Sequence, residues 1–154
     1  MSGKSKALAP IIIIIIVIVA ALAVVTILVM SRRARATPVV EEAFWLASAQ
    51  RVTDVAFGEK VEAHVVFKPV EEYVGSVVVK IRKDVAWWPD SDYQVTTVPV
   101  SLRAGESKEI EVAFTPDERS GSRLRGYFIE IAFQLTGTSW TMESSYPPRL
   151  RVLD

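Results

Sequence analysis

Hydrophobic positions along the chain follow two regimes. Residues 8–30 are apolar or small without a break, and no charge occurs from Ala7 to Ser31. From Phe44 onward the pattern has period two. Val61, Ala63, Val65 and Phe67 alternate with Glu62, His64, Val66 and Lys68, and Val77, Val79 and Ile81 alternate with Ser76, Val78, Lys80 and Arg82. Ile110, Val112 and Phe114, and then Tyr127, Ile129, Ile131, Phe133 and Leu135, repeat the alternation. Such spacing predicts strands with one face in a core and the other in water. Gly58, Gly105, Gly121 and Gly137 sit in the turn signals between them. The predicted strands cover 44–56 (allowing a break), 60–68, 74–84, 93–102, 108–115, 126–135, 139–144 and 149–153. Roughly seven or eight short strands at this spacing make an antiparallel β-sandwich, since a single sheet would leave an apolar face in water.

The first regime predicts a helix. At about 1.5 Å per residue, residues 8–30 span roughly 34 Å, enough to cross a hydrocarbon core of about 30 Å. β-branched residues are mediocre helix formers in water, but in lipid only a helix satisfies such a segment's backbone. The run exceeds the roughly 7–15 apolar residues of a removable secretory signal, so an anchor is expected. The expected organisation is a basic segment 1–7, a membrane helix 8–31, a basic linker 32–43 and a β-sandwich domain 44–154.

Charge sharpens this division. Residues 1–36 carry Lys4, Lys6, Arg32, Arg33 and Arg35 and no acid, a net +5; the remainder holds 13 basic and 18 acidic residues, a net −5. Arg32, Arg33 and Arg35 are placed to contact lipid headgroups. The acidic remainder argues against nucleic acid as a partner. Basic residues flank both ends of the helix, so the positive-inside comparison is nearly a tie. The sandwich type, common at cell surfaces, favours an extracellular C-terminal domain. The chain has no Cys and no Asn. That removes disulfides, thiolate chemistry and N-glycosylation sequons, and agrees with the depletion of thermolabile residues in thermophiles.

Two local stretches resemble known families. Lys6-Ala7-Leu8-Ala9-Pro10-Ile11-Ile12 resembles the N-terminus of archaeal type IV pilins. The resemblance implies cleavage between Ala7 and Leu8, with the helix retained in membrane or filament. A plain signal anchor is the alternative. Arg125-Gly126-Tyr127-Phe128-Ile129 resembles the start of the penultimate strand in immunoglobulin-like and fibronectin-type-III-like domains. It implies that the Tyr127 hydroxyl bonds back to the backbone at a corner. The plan of one helix and one sandwich also resembles archaellum stator proteins, which grip a surface layer. Residues 58–71 and 105–118 resemble each other at an offset of 47, which suits two neighbouring strands.

Catalytic chemistry is scarce. His64 is the one histidine, on the outward side of its strand between Ala63 and Val65, where a partly exposed position is expected. A general base needs a nucleophile and an orienting partner, and the usual zinc site wants three or four N/S ligands. Gly3-Lys4-Ser5 lacks the upstream glycine of a phosphate loop. Glu71-Glu72, Asp90-Ser91-Asp92 and Asp117-Glu118 lack the ligand count of a calcium loop. No catalytic, cofactor or metal residue is therefore assigned. The pointed feature is Asp84-Val-Ala-Trp-Trp-Pro-Asp-Ser-Asp-Tyr93. Trp87 and Trp88 cannot both face one side of a strand. They either plug the end of the sandwich or, with Asp90, Asp92 and Tyr93, present a docking surface for a protein or a glycan. Residues 139–149 form a second aromatic stretch, whose Pro147-Pro148 pair should end an edge strand.

These observations point to a non-enzymatic, single-pass surface protein that engages a partner. The partner could be its own copies, a surface-layer protein or a membrane complex. The alternative is an accessory subunit of a membrane protein complex.

Overall fold

A computed structural model describes the backbone of residues 8–137 and 141–154, and the side chains of 12–29, 37–137 and 149–154. The chain divides into two units, residues 1–35 and 36–154.

The first unit is α1, Leu8–Ala36. Every described side chain from Ile12 to Val29 is exposed, and this segment is long and apolar enough to cross a membrane. The helix continues past Ser31 through Arg32, Arg33 and Arg35. Arginine is a good helix former, and cations suit a helix C-terminus. Pro38 then disfavours helix at Thr37, so the break falls there. Ala7 lies outside the described residues.

The second unit is a sandwich of two sheets. Its strands are β1 Val39–Ala47, β2 Gln50–Val52, β3 Asp54–Ala56, β4 Val61–Lys68, β5 Tyr73–Val85, β6 Ser91–Leu102, β7 Lys108–Phe114, β8 Leu124–Leu135 and β9 Thr141–Leu153. One sheet has the order β2-β1-β4-β7 and the other β3-β9-β8-β5-β6. The central pairings are those of an immunoglobulin-like sandwich. The alternation seen in the sequence sets the inner faces. Val61, Ala63, Val65 and Phe67 of β4 are buried, as are Val77, Val79 and Ile81 of β5 and Tyr127, Ile129, Ile131 and Phe133 of β8. Aromatic rings join the two layers. Phe67 meets Phe133 edge-on at 5.6 Å, and Phe114 touches both Trp45 and Tyr127 at 5.5 Å.

The related stretches 58–71 and 105–118 become β4 and β7, paired antiparallel from Val61↔Phe114 to Phe67↔Lys108. Gly58 and Gly105, which precede them, both have the left-handed φ that favours glycine.

Four details depart from the sequence expectation. The sandwich begins at Val39, inside the expected linker 32–43, because helix and β1 leave only Thr37 and Pro38 between them. Residues 39–56 form three strands, and β3 crosses to the other sheet, where it pairs parallel to β9. The turn between β1 and β2 is made by Ser48 and Ala49, both at positive φ. Asn-Gly is the usual sequence for such a turn, so it left no signal. Residues 141–153 form one strand that runs through Pro147 and Pro148. The pairing shifts there, from Ile129↔Tyr146 to Tyr127↔Leu150, and the prolines occupy the irregularity. Gly126 makes this approach possible, because a Cβ there would lie 2.5 Å from the Leu150 carbonyl oxygen.

Candidate functional site

β1 enters the sandwich with Val39 beside Lys68, at the end where β5 begins at Tyr73. β5 then runs 13 residues, about 40 Å at 3.3 Å per residue. The β5–β6 hairpin that carries Trp87 and Trp88 therefore lies at the opposite end.

Both indoles project into solvent. Trp87 is 94% exposed and Trp88 74% exposed, so neither plugs the sandwich. Trp87 also has φ of 69°, an uncommon backbone state for a bulky L-residue that costs roughly 1–2 kcal/mol. Such strain persists only where the surroundings over-determine the conformation.

The surroundings here do so. Ala86 is buried, and its N–H donates to the Arg123 carbonyl at 2.8 Å. Asp90 Oδ1 accepts from the Val85 N–H at 3.4 Å, while the Asp90 carbonyl accepts from Arg82 Nη2 at 2.8 Å. Asp92 pairs with Arg82 Nε at 2.8 Å, and the buried Asp84 pairs with Arg149 Nη1 at 2.5 Å. The acidic residues around the tryptophans are thus occupied in holding the hairpin.

Tyr93 does not join the docking surface. Its ring packs against Phe114 and Tyr127 at the edge of the core, and its hydroxyl donates to the Thr115 carbonyl at 2.7 Å. The residues brought together at the tip are Trp87, Trp88 and Asp90. Ser139 and Trp140 lie outside the described residues, as do the side chains of the second aromatic stretch apart from Arg149.

Tyr127 occupies a corner between β7 and β8. Its hydroxyl donates to Asp117 Oδ1 at 2.8 Å and accepts from the Glu118 N–H at 3.2 Å. Burial and the neighbouring Asp117 carboxylate both push the phenol pKa up. Lys83 Nζ, 2.6 Å from Asp117, closes the cluster. Burial opposes the charged Asp117, but Lys83 and Tyr127 outweigh it and hold its pKa below the usual value.

His64 is only 5% exposed, not the partly exposed residue expected from its strand position. Phe44 of β1 stacks on its ring at 5.1 Å, and the long glutamates of β4 and β7 flank it. An outward position on a central strand can be covered by neighbouring strands, which alternation within one strand does not report. The sequence reading missed this cluster because Glu109 and Glu111 are 45 or more residues from His64 along the chain.

The outer face of the second sheet also carries a charge network. Glu130 of β8 is buried and accepts from Lys80 Nζ at 3.1 Å and Arg82 Nη1 at 2.7 Å. Burial alone would raise the Glu130 pKa, but the two cations reverse the sign and the net shift is downward.

No protein-family model matches the chain, and no curated protein matches it in sequence. Among solved structures it is similar to the C-terminal domain of Wzt, with a TM-score of 0.55 and 11% identity over 76% of this chain and 74% of that one. It also resembles part of a β-glucosidase, EmGH1 from Erythrobacter marinus, with a TM-score of 0.42 and 12% identity over 76% of this chain and 15% of the glucosidase. The sporulation control protein Spo0M from Bacillus subtilis gives a TM-score of 0.41 and 14% identity over 75% of this chain and 47% of that one. At these identities the Wzt likeness speaks to the fold alone.

Proposed function

We propose that the chain is a non-enzymatic, membrane-anchored surface protein that docks a protein partner through the Trp87-Trp88 hairpin. One observation carries this reading: two adjacent indoles are held in solvent on a strained, well-anchored tip. Exposing both rings leaves a large apolar area in water, and Trp is the residue most enriched at binding hot spots. A protein partner is favoured over a glycan, because Asp84, Asp90 and Asp92 are already engaged within the domain.

α1 supplies the anchor, with Arg32, Arg33 and Arg35 at the headgroups and the sandwich on the extracellular side. A surface-layer protein is the partner that this anchored arrangement suits. A pilin-like subunit, cut between Ala7 and Leu8 and assembling with its own copies, fits the same arrangement. An accessory subunit of a membrane protein complex is the second reading, favoured by a helix whose described faces are all apolar.

The test is site-specific photo-crosslinking on intact cells from position 88, with position 95 on the β6 surface as control. A discrete protein adduct from position 88 that disappears on Trp87→Ser is expected. Equal labelling from both positions, or none, overturns the reading. Adducts to a second copy assign self-assembly, and the mass of the mature N-terminus decides whether Ala7–Leu8 is cut. Proteolysis of intact cells reports the orientation: a domain cut only after lysis lies inside.

A further inference from the structure

On the outer face of the first sheet, β4 and β7 bring together four ionisable side chains. His64 pairs in register with Glu111, and Glu109 lies on the same face of β7. His64 Nδ1 is 2.7 Å from Glu109 Oε1 and 4.0 Å from Glu111 Oε1. The other ring nitrogen, Nε2, is buried without a hydrogen bond, and Glu62 Oε2 lies 3.7 Å away. Phe44 stacks on the imidazole with an interplanar angle of 11° and sets its plane.

As a set of ion pairs this cluster is incomplete. Three carboxylates face one imidazole, so even a protonated His64 leaves a net charge of −2. Lys60, 3.6 Å from Glu62, is exposed and meets only one of them. Among the described residues, no Lys or Arg lies within ion-pair distance of Glu109 or Glu111. Like charges on one face of a strand pair are destabilising, and a buried imidazole with an unsatisfied nitrogen adds a further cost.

We propose that His64, Glu109 and Glu111 form a binding site for one divalent transition-metal ion of the zinc type. Their candidate ligand atoms lie within 4.8 Å of one another. Two ligands on one ion at 2.0–2.2 Å are at most about 4.4 Å apart, so small rotations of exposed glutamates close the set. One imidazole nitrogen and two carboxylates suit zinc or cobalt better than calcium or magnesium, which prefer oxygen alone. Glu62 takes the outer role. A metal-bound histidine commonly donates its other N–H to a carboxylate, and Nε2 faces Glu62. Solvent completes the coordination. The ion offsets the excess negative charge and clips β7, an edge strand, to β4 near the middle of their pairing.

The experiment uses the full chain in detergent micelles, stripped with chelator and titrated with Co²⁺ and Zn²⁺, with Mg²⁺ as control. Saturable visible absorption from bound Co²⁺, displaced by Zn²⁺, is expected. Zn²⁺ should raise the thermal midpoint and Mg²⁺ should not. His64→Gln should abolish the absorption. Glu111→Gln, an exposed position that tolerates change, should weaken Co²⁺ affinity at least about tenfold, and Glu62→Gln should weaken it by roughly 10–100-fold. Absence of saturable binding, equal binding by Mg²⁺, or Glu111→Gln affinity equal to that of the parent chain overturns the proposal.

Discussion

The outer faces of the two sheets solve the same problem in opposite ways. Each buries an ionisable side chain on a strand with neighbours on both sides: Glu130 on β8 and His64 on β4. Around Glu130 the charges balance. Lys80 and Arg82 reach it at 3.1 and 2.7 Å, and Asp92 holds the far side of Arg82. Around His64 they do not balance, since Glu62, Glu109 and Glu111 all carry the same sign. A buried charge that is paired and hydrogen-bonded belongs to the scaffold. Around His64 the excess charge sits instead on glutamates that remain exposed, and the proposed ion would offset it there.

Mutations should separate the two faces by size and by sign. The largest effect is expected from Arg82→Met, which leaves Glu130 buried with a single cation and also frees Asp92 and the Asp90 carbonyl. Loss of one partner of a buried pair typically costs about 3–5 kcal/mol. Denaturant unfolding of the full chain in micelles, followed by near-ultraviolet circular dichroism, checks this; a loss below about 1 kcal/mol would reduce the network to a solvated surface pair.

Acid should act on the same face. The Glu130 pKa is held below its ordinary value of 4.5, so the folded state binds its proton less readily than the unfolded chain does. The stabilisation is therefore complete above pH 4.5 and is lost as pH falls through the depressed folded value. Asp117, held below 3.8 by Lys83 and Tyr127 against the effect of burial, adds a loss of the same sign as pH falls below 3.8. In Glu130→Gln the part of this loss that begins below pH 4.5 should shrink in the stability profile.

The smallest effect is expected on the other face and with opposite sign. Without metal, Glu111→Gln removes one of three like charges while leaving the short contact between His64 and Glu109 intact. Stability should rise by a few tenths of a kcal/mol. The same variant should lose stability relative to the parent chain once Zn²⁺ is present. A loss in both conditions would mean that Glu111 is simply a useful partner of His64, and the contrast between the faces would vanish.

The Trp hairpin shows how far the residues alone could lead. Adjacent tryptophans between acids marked the segment, but whether they plugged the sandwich or projected from it depended on the φ of Trp87 and on where Ala86 is tied. Tyr93 was grouped with them by proximity in the chain. Alternation then turned it toward Phe114 and Tyr127, on the other side of the sheet from Asp92.

The chain's own pattern determined the elements. An unbroken apolar run can only be a helix that meets lipid or other apolar surfaces, and period-two alternation can only bury one face of each strand. The pairing of 58–71 with 105–118 suited the immunoglobulin-like resemblance, in which the second and fifth strands lie side by side. Tertiary structure decided what no single strand contains. It set the crossing of β3 to the second sheet, the irregularity that carries Pro147 and Pro148, and the meeting of His64 with Glu109 and Glu111. The physical reason is common to all three. Local sequence dictates which way a side chain points along its own strand, but only the packing of distant strands decides what it meets there.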